Sequence, residues 1–83
     1  MDLVSELRLL READGRIANA ETAVMKQIAE IDYLRVAGYG TAVAERTLLA
    51  FVGSLETLRE RRELIVRTIQ QIDTGLVDCP AAA

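Results

Sequence analysis

The chain has no histidine and no tryptophan, and it has one cysteine and one proline in 83 residues. Without histidine, a zinc site, a Glu-x-x-His di-iron site and a histidine-based catalytic triad are excluded. The lone Cys79 cannot build an internal disulfide framework, and nothing near it marks a reactive thiol. No Gly-x-Gly-x-x-Gly or Walker-type loop occurs. We therefore expect no metal, no cofactor and no enzymatic activity.

Aromatic residues and long apolar runs are also scarce. The aromatics are Tyr33, Tyr39 and Phe51, fewer than a β-sandwich or barrel normally needs. The longest apolar run, from Leu48 to Val52, is far shorter than the roughly 20 residues of a membrane span. The first residues lack the basic and apolar segments of a signal peptide. We expect a cytoplasmic protein with no membrane association.

The residues that are abundant indicate long amphipathic helices. Apolar residues make up 51% of the chain and charged residues 28%, with Ala, Leu, Glu, Arg and Ile prominent. Apolar residues recur at alternating intervals of three and four, which is the heptad pattern of packed helices. The row predicted to face inward in the first half is Leu3, Leu7, Leu10, Asp14, Ile17, Glu21, Val24, Ile28 and Ile31. In the second half it is Leu48, Phe51, Leu55, Leu58, Arg62, Ile65, Ile69, Ile72 and Leu76.

A glycine-containing segment separates the two rows. Gly38 or Gly40 can end a helix, Thr41 is a good N-cap, and Glu45 suits the first turn of the next helix. The sequence predicts one domain over 1–76, with helix 1 at about 3–37, a turn at 38–41 and helix 2 at about 42–73, followed by a flexible tail at 77–83. Because the heptad phase continues across Gly15, we expect helix 1 to be unbroken.

A turn this short makes the helices antiparallel, so that facing residues have numbers that add to about 79. Ile28 is then predicted to contact Phe51, and Leu10 to contact Ile69. The fold class is all-α, an antiparallel two-helix hairpin of coiled-coil type. One hairpin covers its apolar surface on one side only, so we expect a homodimeric four-helix bundle or another helical partner. The expected interface residues are Val4, Ala18, Met25, Val52 and Val66.

Three charged residues interrupt the predicted rows at neighbouring levels. Asp14 and Glu21 lie to either side of the level at which Arg62 faces helix 1. Charges placed at an apolar interface normally pair, and such a layer can set the register of a bundle. We predict a charged layer of Asp14, Glu21 and Arg62. The alternative is that Arg62 extends past the interface into water.

A run of arginines in helix 2 suggests a second kind of surface. Arg59, Arg61 and Arg67 are typical of contacts with RNA or DNA, but Glu60 and Glu63 interrupt them. The net charge of −3 gives no general attraction to nucleic acid. A hydrated, salt-bridged surface is the favoured interpretation, and nucleic-acid binding is a disfavoured alternative. A further alternative is a small-ligand enzyme with a polar pocket at Arg62, Asp14 and Glu21.

Part of the chain resembles a group of small uncharacterised bacterial helical-hairpin proteins. The resemblance rests on residues between 16 and about 69: Arg16-Ile17-Ala18, the segment from Ile28 to Leu34, Gly38-Tyr39-Gly40-Thr41, Ala44-Glu45, Leu48-Leu49, Phe51, Ser54-Leu55, Leu58 and Arg62. The chain departs from the pattern at Gly40, where an aspartate is usual, and at Arg61, where a histidine is usual. The resemblance implies a bacterial origin and a hairpin, but no activity. The function we expect is that of a small, non-catalytic interaction or regulatory protein.

Overall fold

The computed structural model describes residues 2–74, which form two long α-helices that pack against each other. Helix α1 spans Leu3–Val36 and helix α2 spans Ala42–Thr74, and no strand occurs within this part of the chain. The predicted all-α hairpin is confirmed. The predicted tail at 77–83, with Cys79, lies outside the described residues.

Helix α1 begins at a cap formed by Asp2. The Asp2 carboxylate accepts a hydrogen bond from the backbone N–H of Val4 at 3.4 Å and one from the Ser5 hydroxyl at 3.1 Å. These bonds satisfy a donor that the first helical turn leaves without a partner. The helix then passes through Gly15 without a break, as the uninterrupted heptad phase predicts.

The turn between the helices is a Schellman motif centred on Gly38. Gly38 has φ 84°, a left-handed conformation that glycine adopts without a steric penalty. The N–H of Tyr39 donates to the Leu34 carbonyl at 2.8 Å, and the N–H of Gly38 donates to the Arg35 carbonyl at 3.2 Å. The Thr41 carbonyl then accepts the N–H of Glu45 at 2.8 Å, and α2 begins.

The inward row of α2 is the predicted one. Through residue 72, each predicted position is buried or half-buried, from Leu48 to Ile72. The row also extends one turn further toward the hairpin turn, where Ala44 is buried. Leu55, near the middle of the helix, is the most deeply buried of its large side chains at 7% exposure.

The inward row of α1 agrees with the predicted one at Leu10, Ile17, Val24 and Ile31, which are buried or half-buried, and differs at the alternate positions. Leu7 and Ile28 are predicted to face α2, but they are 47% and 45% exposed, and Asp14 and Glu21 are exposed as well. In their place the preceding residues of the chain turn inward, and the row at these positions is Ala13, Ala20, Gln27 and Leu34. The physical reason is steric. Alanines leave room for the large leucine, isoleucine and phenylalanine side chains of α2, so the two helices approach closely along the alanine side.

Candidate interaction surface

Three ion pairs join the two helices, and all lie on one side of the hairpin. Arg35 contacts Glu45 at 3.3 Å, Arg59 contacts Glu21 at 3.1 Å, and the Nε of Arg62 donates to the Asp14 carboxylate. In each pair the partners lie within about one helical turn of the level at which the predicted register places them. The three α1 members are spaced by multiples of seven residues, so they share one side of α1.

We call this side the paired face. On α1 it carries the row of the three ion-pair residues and the adjacent row, which is small or apolar except at Arg11: Val4, Leu7, Arg11, Asp14, Ala18, Glu21, Met25, Ile28 and Arg35. On α2 it carries the row of Glu45 and Arg59, the adjacent row that begins at Leu49, and Arg62: Glu45, Leu49, Val52, Glu56, Arg59, Arg62, Glu63 and Val66. The five residues expected from sequence at a dimer interface all lie on this face.

The charged residues of the paired face are open to water in the single hairpin. The side chains of Arg62 and Asp14 are 40% and 52% exposed, and those of Arg59 and Glu21 are exposed to a similar degree. Ion pairs of this exposure contribute about 0–1 kcal/mol each to stability. Their importance therefore lies in the rotation and register that they favour between the helices, not in the strength of the hairpin.

The predicted charged layer is divided between two arginines. The structure brings Arg62 and Asp14 together, but it places Glu21 against Arg59. The sequence argument missed Arg59, because it considered only residues of the predicted inward rows. The signal was present, since Arg59 and Glu21 occupy the same level once facing numbers add to about 79. These residues form a band of two ion pairs across the middle of the paired face.

Large apolar side chains flank this charged band. Toward the turn, Met25 and Leu49 are 70% and 71% exposed, beside the partly exposed Ile28 and the half-buried Val52. Toward the open end of the hairpin lie the exposed Val4 and Leu7. Isolated apolar residues are ordinary on protein surfaces, but a contiguous group marks an interaction site. The four residues nearest the turn lie at one level of the hairpin and form such a group.

The opposite side of the hairpin, which we call the grooved face, is shaped differently. A groove near the turn is lined by Lys26, Gln27, Glu30, Val43, Thr47 and others. At its floor, Gln27 donates a hydrogen bond to the Ala44 carbonyl at 3.0 Å. A second groove is lined by Leu9, Glu12, Ala13, Arg16, Leu58, Arg61 and Ile65. The grooves are lined by apolar residues such as Leu34, Phe51 and Leu58 as well as by charged ones, but no ion pair between the two helices is found on this face among the described residues.

The three arginines considered for nucleic-acid contact do not form one surface. Arg59 lies on the paired face against Glu21, whereas Arg61 lines a groove on the other face. Arg67 is one turn from Glu63 on the same helix and contacts it at 3.7 Å. A nucleic-acid site gains affinity from basic groups that reach neighbouring phosphates together. This arrangement supplies separate, partly neutralised arginines.

Metal binding and membrane insertion find no support in the part of the chain that the structure describes. No cluster of three or more acidic or cysteine side chains is suitably placed for a metal ion among residues 2–74. Neither described helix has the length and apolar character needed to cross a membrane.

Comparison with protein-family models, curated proteins and solved structures finds no match to this chain. The resemblance to bacterial hairpin proteins therefore stays a prediction.

Proposed function

We propose that this chain is a small non-catalytic interaction protein that acts through a helical-bundle surface. In this proposal two hairpins associate into a four-helix bundle, and the bundle is the functional unit. The observation that carries the proposal is the imbalance between buried and exposed apolar side chains. Among the residues that the structure describes, four small or medium residues are buried, whereas twelve large hydrophobic residues are exposed.

The buried set is too small to support an independent fold. It consists of Ala13, Ile31, Ala44 and Leu55, and full burial of a leucine or isoleucine contributes only about 1.5–3 kcal/mol. Helices in proteins owe most of their stability to packing of an apolar side against another element. A second layer of helices on the paired face would cover the exposed Val4, Leu7, Met25, Ile28 and Leu49 and enlarge the core.

The proposal is tested by the mass of the particle in solution. Light scattering during size-exclusion chromatography should give twice the chain mass of 9.1 kDa, and the melting temperature should rise with protein concentration. A compact monomer that melts cooperatively at micromolar concentration, at a temperature independent of concentration, would contradict the proposal.

Two variants of α1 sharpen the test. We expect Met25→Glu to shift the particle toward a monomer, because it places a charge among exposed apolar side chains on the paired face. Asn19→Glu is the matched control, since Asn19 is exposed and lies seven residues from both Glu12 and Lys26, which line grooves on the other face. It adds the same charge on the grooved side of α1 and should leave the mass unchanged. Equal effects of the two variants would show that general charge, and not the paired face, controls association.

A further inference from the structure

We infer that the paired face binds the paired face of a second copy, with the two-fold axis along the hairpin and both turns at the same end. This inference rests on the proposed function and adds the surface and the orientation. It depends on two properties of the paired face. One is the order of its charges across the two helices, and the other is the level of its apolar group.

The charges are complementary to those of a second copy in this orientation. The carboxylates of the central band, Asp14 and Glu21, lie on α1, and the arginines, Arg59 and Arg62, lie on α2. Rotation about the long axis of the hairpin lays α1 of one copy over α2 of the other. Each carboxylate of the band then lies over α2 of the second copy at the level of Arg59 and Arg62, while the neighbouring Glu63 of α2 contacts Arg67.

The opposite orientation has the reverse effect. With the turns at opposite ends, α1 of one copy lies on α1 of the other, and α2 lies on α2. The carboxylates Asp14 and Glu21 then approach the same two carboxylates of the second copy. Like charges brought together at an interface cost free energy and disfavour that arrangement.

The apolar group makes the same distinction. Met25 and Ile28 lie at the level of Leu49 and Val52, because facing numbers add to about 79. With the turns together, this group meets its own copy, and eight apolar side chains form one cluster. With the turns apart, it meets the part of the surface around Arg11 and Leu7, where a charged residue interrupts the apolar character.

The band of ion pairs suits the centre of such an interface. Charges that leave water lose solvation, and the loss is smallest when partners are already in contact. Arg59 and Glu21 at 3.1 Å, together with Arg62 and Asp14, form those contacts before association. The carboxylates of the second copy complete the coordination of each guanidinium, which has five donors.

Disulfide cross-linking between two distinguishable chains tests the orientation. All chains carry Cys79→Ser, and two lengths of tag separate the products on a non-reducing gel. A chain with Met25→Cys is mixed, in three separate experiments, with a chain that carries Val52→Cys, Arg11→Cys or Ser54→Cys. Positions 25 and 11 are close only when the two turns are at opposite ends. Ser54 lies at the level of Met25 but lines the grooved face, so the mixture with Ser54→Cys is the matched control for the surface.

We expect the mixed product of Met25→Cys and Val52→Cys to exceed both other mixed products by at least about fivefold, because a disulfide requires Cβ atoms within about 4.5 Å. Circular dichroism of each variant confirms that the helices are retained. A predominant product with Arg11→Cys or with Ser54→Cys in a chain of dimeric mass would overturn the orientation or the surface, while leaving the proposed function intact. A monomeric mass would overturn both proposals.

Discussion

Glycine acts in opposite ways at different positions of this chain. Gly38 has a positive φ of 84° and forms the turn, whereas Gly15 has an ordinary helical conformation with no atom close to where a Cβ would stand. A glycine within a helix costs roughly 0.5–1 kcal/mol relative to alanine, because its unfolded state has more freedom. The local conformation of each glycine therefore decides whether its replacement by alanine stabilises or destabilises the protein.

Replacement of Gly15 by alanine should stabilise the protein by about 0.5–1 kcal/mol, since α1 continues through this site. Gly38→Ala should destabilise it by about 1 kcal/mol, because an L-residue is strained at positive φ. Gly40→Ala is a control at the turn, where there is space for a Cβ and no positive φ. Urea unfolding of the three variants checks the signs. A loss of stability in Gly15→Ala would show that α1 is distorted at that residue.

Arg62 combines a charged head with an apolar stem that lies along the inward row of α2. Its side chain is 40% exposed, so part of it is covered by α1. Arg62→Leu keeps a packed side chain, whereas Arg62→Ala removes the stem as well as the charge. We expect Arg62→Ala to be less stable than Arg62→Leu by about 1 kcal/mol, measured by thermal melts at one concentration. Equal melting temperatures would mean that the stem does not pack against α1.

At the scale of the element, the inward row of α1 is the feature that most needs an experimental test. The structure places Ala13 inside at 7% exposure, in a row rotated away from Leu7. An aspartate at Ala13 would place a charge in a buried position between the helices, in a groove that Arg16 and Arg61 also line. Ala29, on the outer side of the same helix, is exposed.

We expect Ala13→Asp to destabilise the hairpin by about 1–3 kcal/mol more than Ala29→Asp, because only the first places a charge in a buried position. Denaturant midpoints of the two variants give the comparison, and the same substitution in the same helix cancels the difference in helix propensity. If the two midpoints agree, Ala13 does not face α2, and the row predicted from sequence, with Leu7 and Ile28 inside, deserves a new test.

At the scale of the whole molecule, the ion pairs of the paired face select one bundle among several. Replacing a covered ion pair by apolar residues is often neutral or stabilising by about 1–4 kcal/mol, although the orientation that it specified can be lost. The pair of Arg62 with Asp14 is suitable for this test, because both members can be replaced by leucine while Arg59 keeps its contact with Glu21.

The double variant Asp14→Leu with Arg62→Leu should melt at a higher temperature than the unmodified chain and form a mixture of oligomers. Native mass spectrometry would detect the mixture, and melts at two concentrations would give the stability. The single variant Asp14→Leu is the control, since it leaves Arg62 without the contact to Asp14 and should be less stable than the double variant. A double variant that remains a single dimeric species would show that this pair does not set the orientation.

The sequence alone determined the number of helices, their antiparallel order and the inward row of α2. These features follow from local physics: heptad spacing, a glycine that accepts positive φ, and a turn too short for any other order. The level of each residue along the hairpin follows from the same turn. That is why Arg62 and Asp14, 48 positions apart in the chain, are predicted and found together.

Only the tertiary structure decided which side of α1 faces α2. Two neighbouring rows of α1 are apolar enough to serve, one with Leu7 and Ile28 and the other with Ala13 and Ala20. Hydrophobicity favours the larger side chains, but the structure buries Ala13 and leaves Leu7 and Ile28 47% and 45% exposed. Small side chains on one helix leave room for large ones, such as Leu55, on the helix that faces it. The larger residues of α1 consequently stay outside, on the face where the charges pair and a second layer of helices has room to bind.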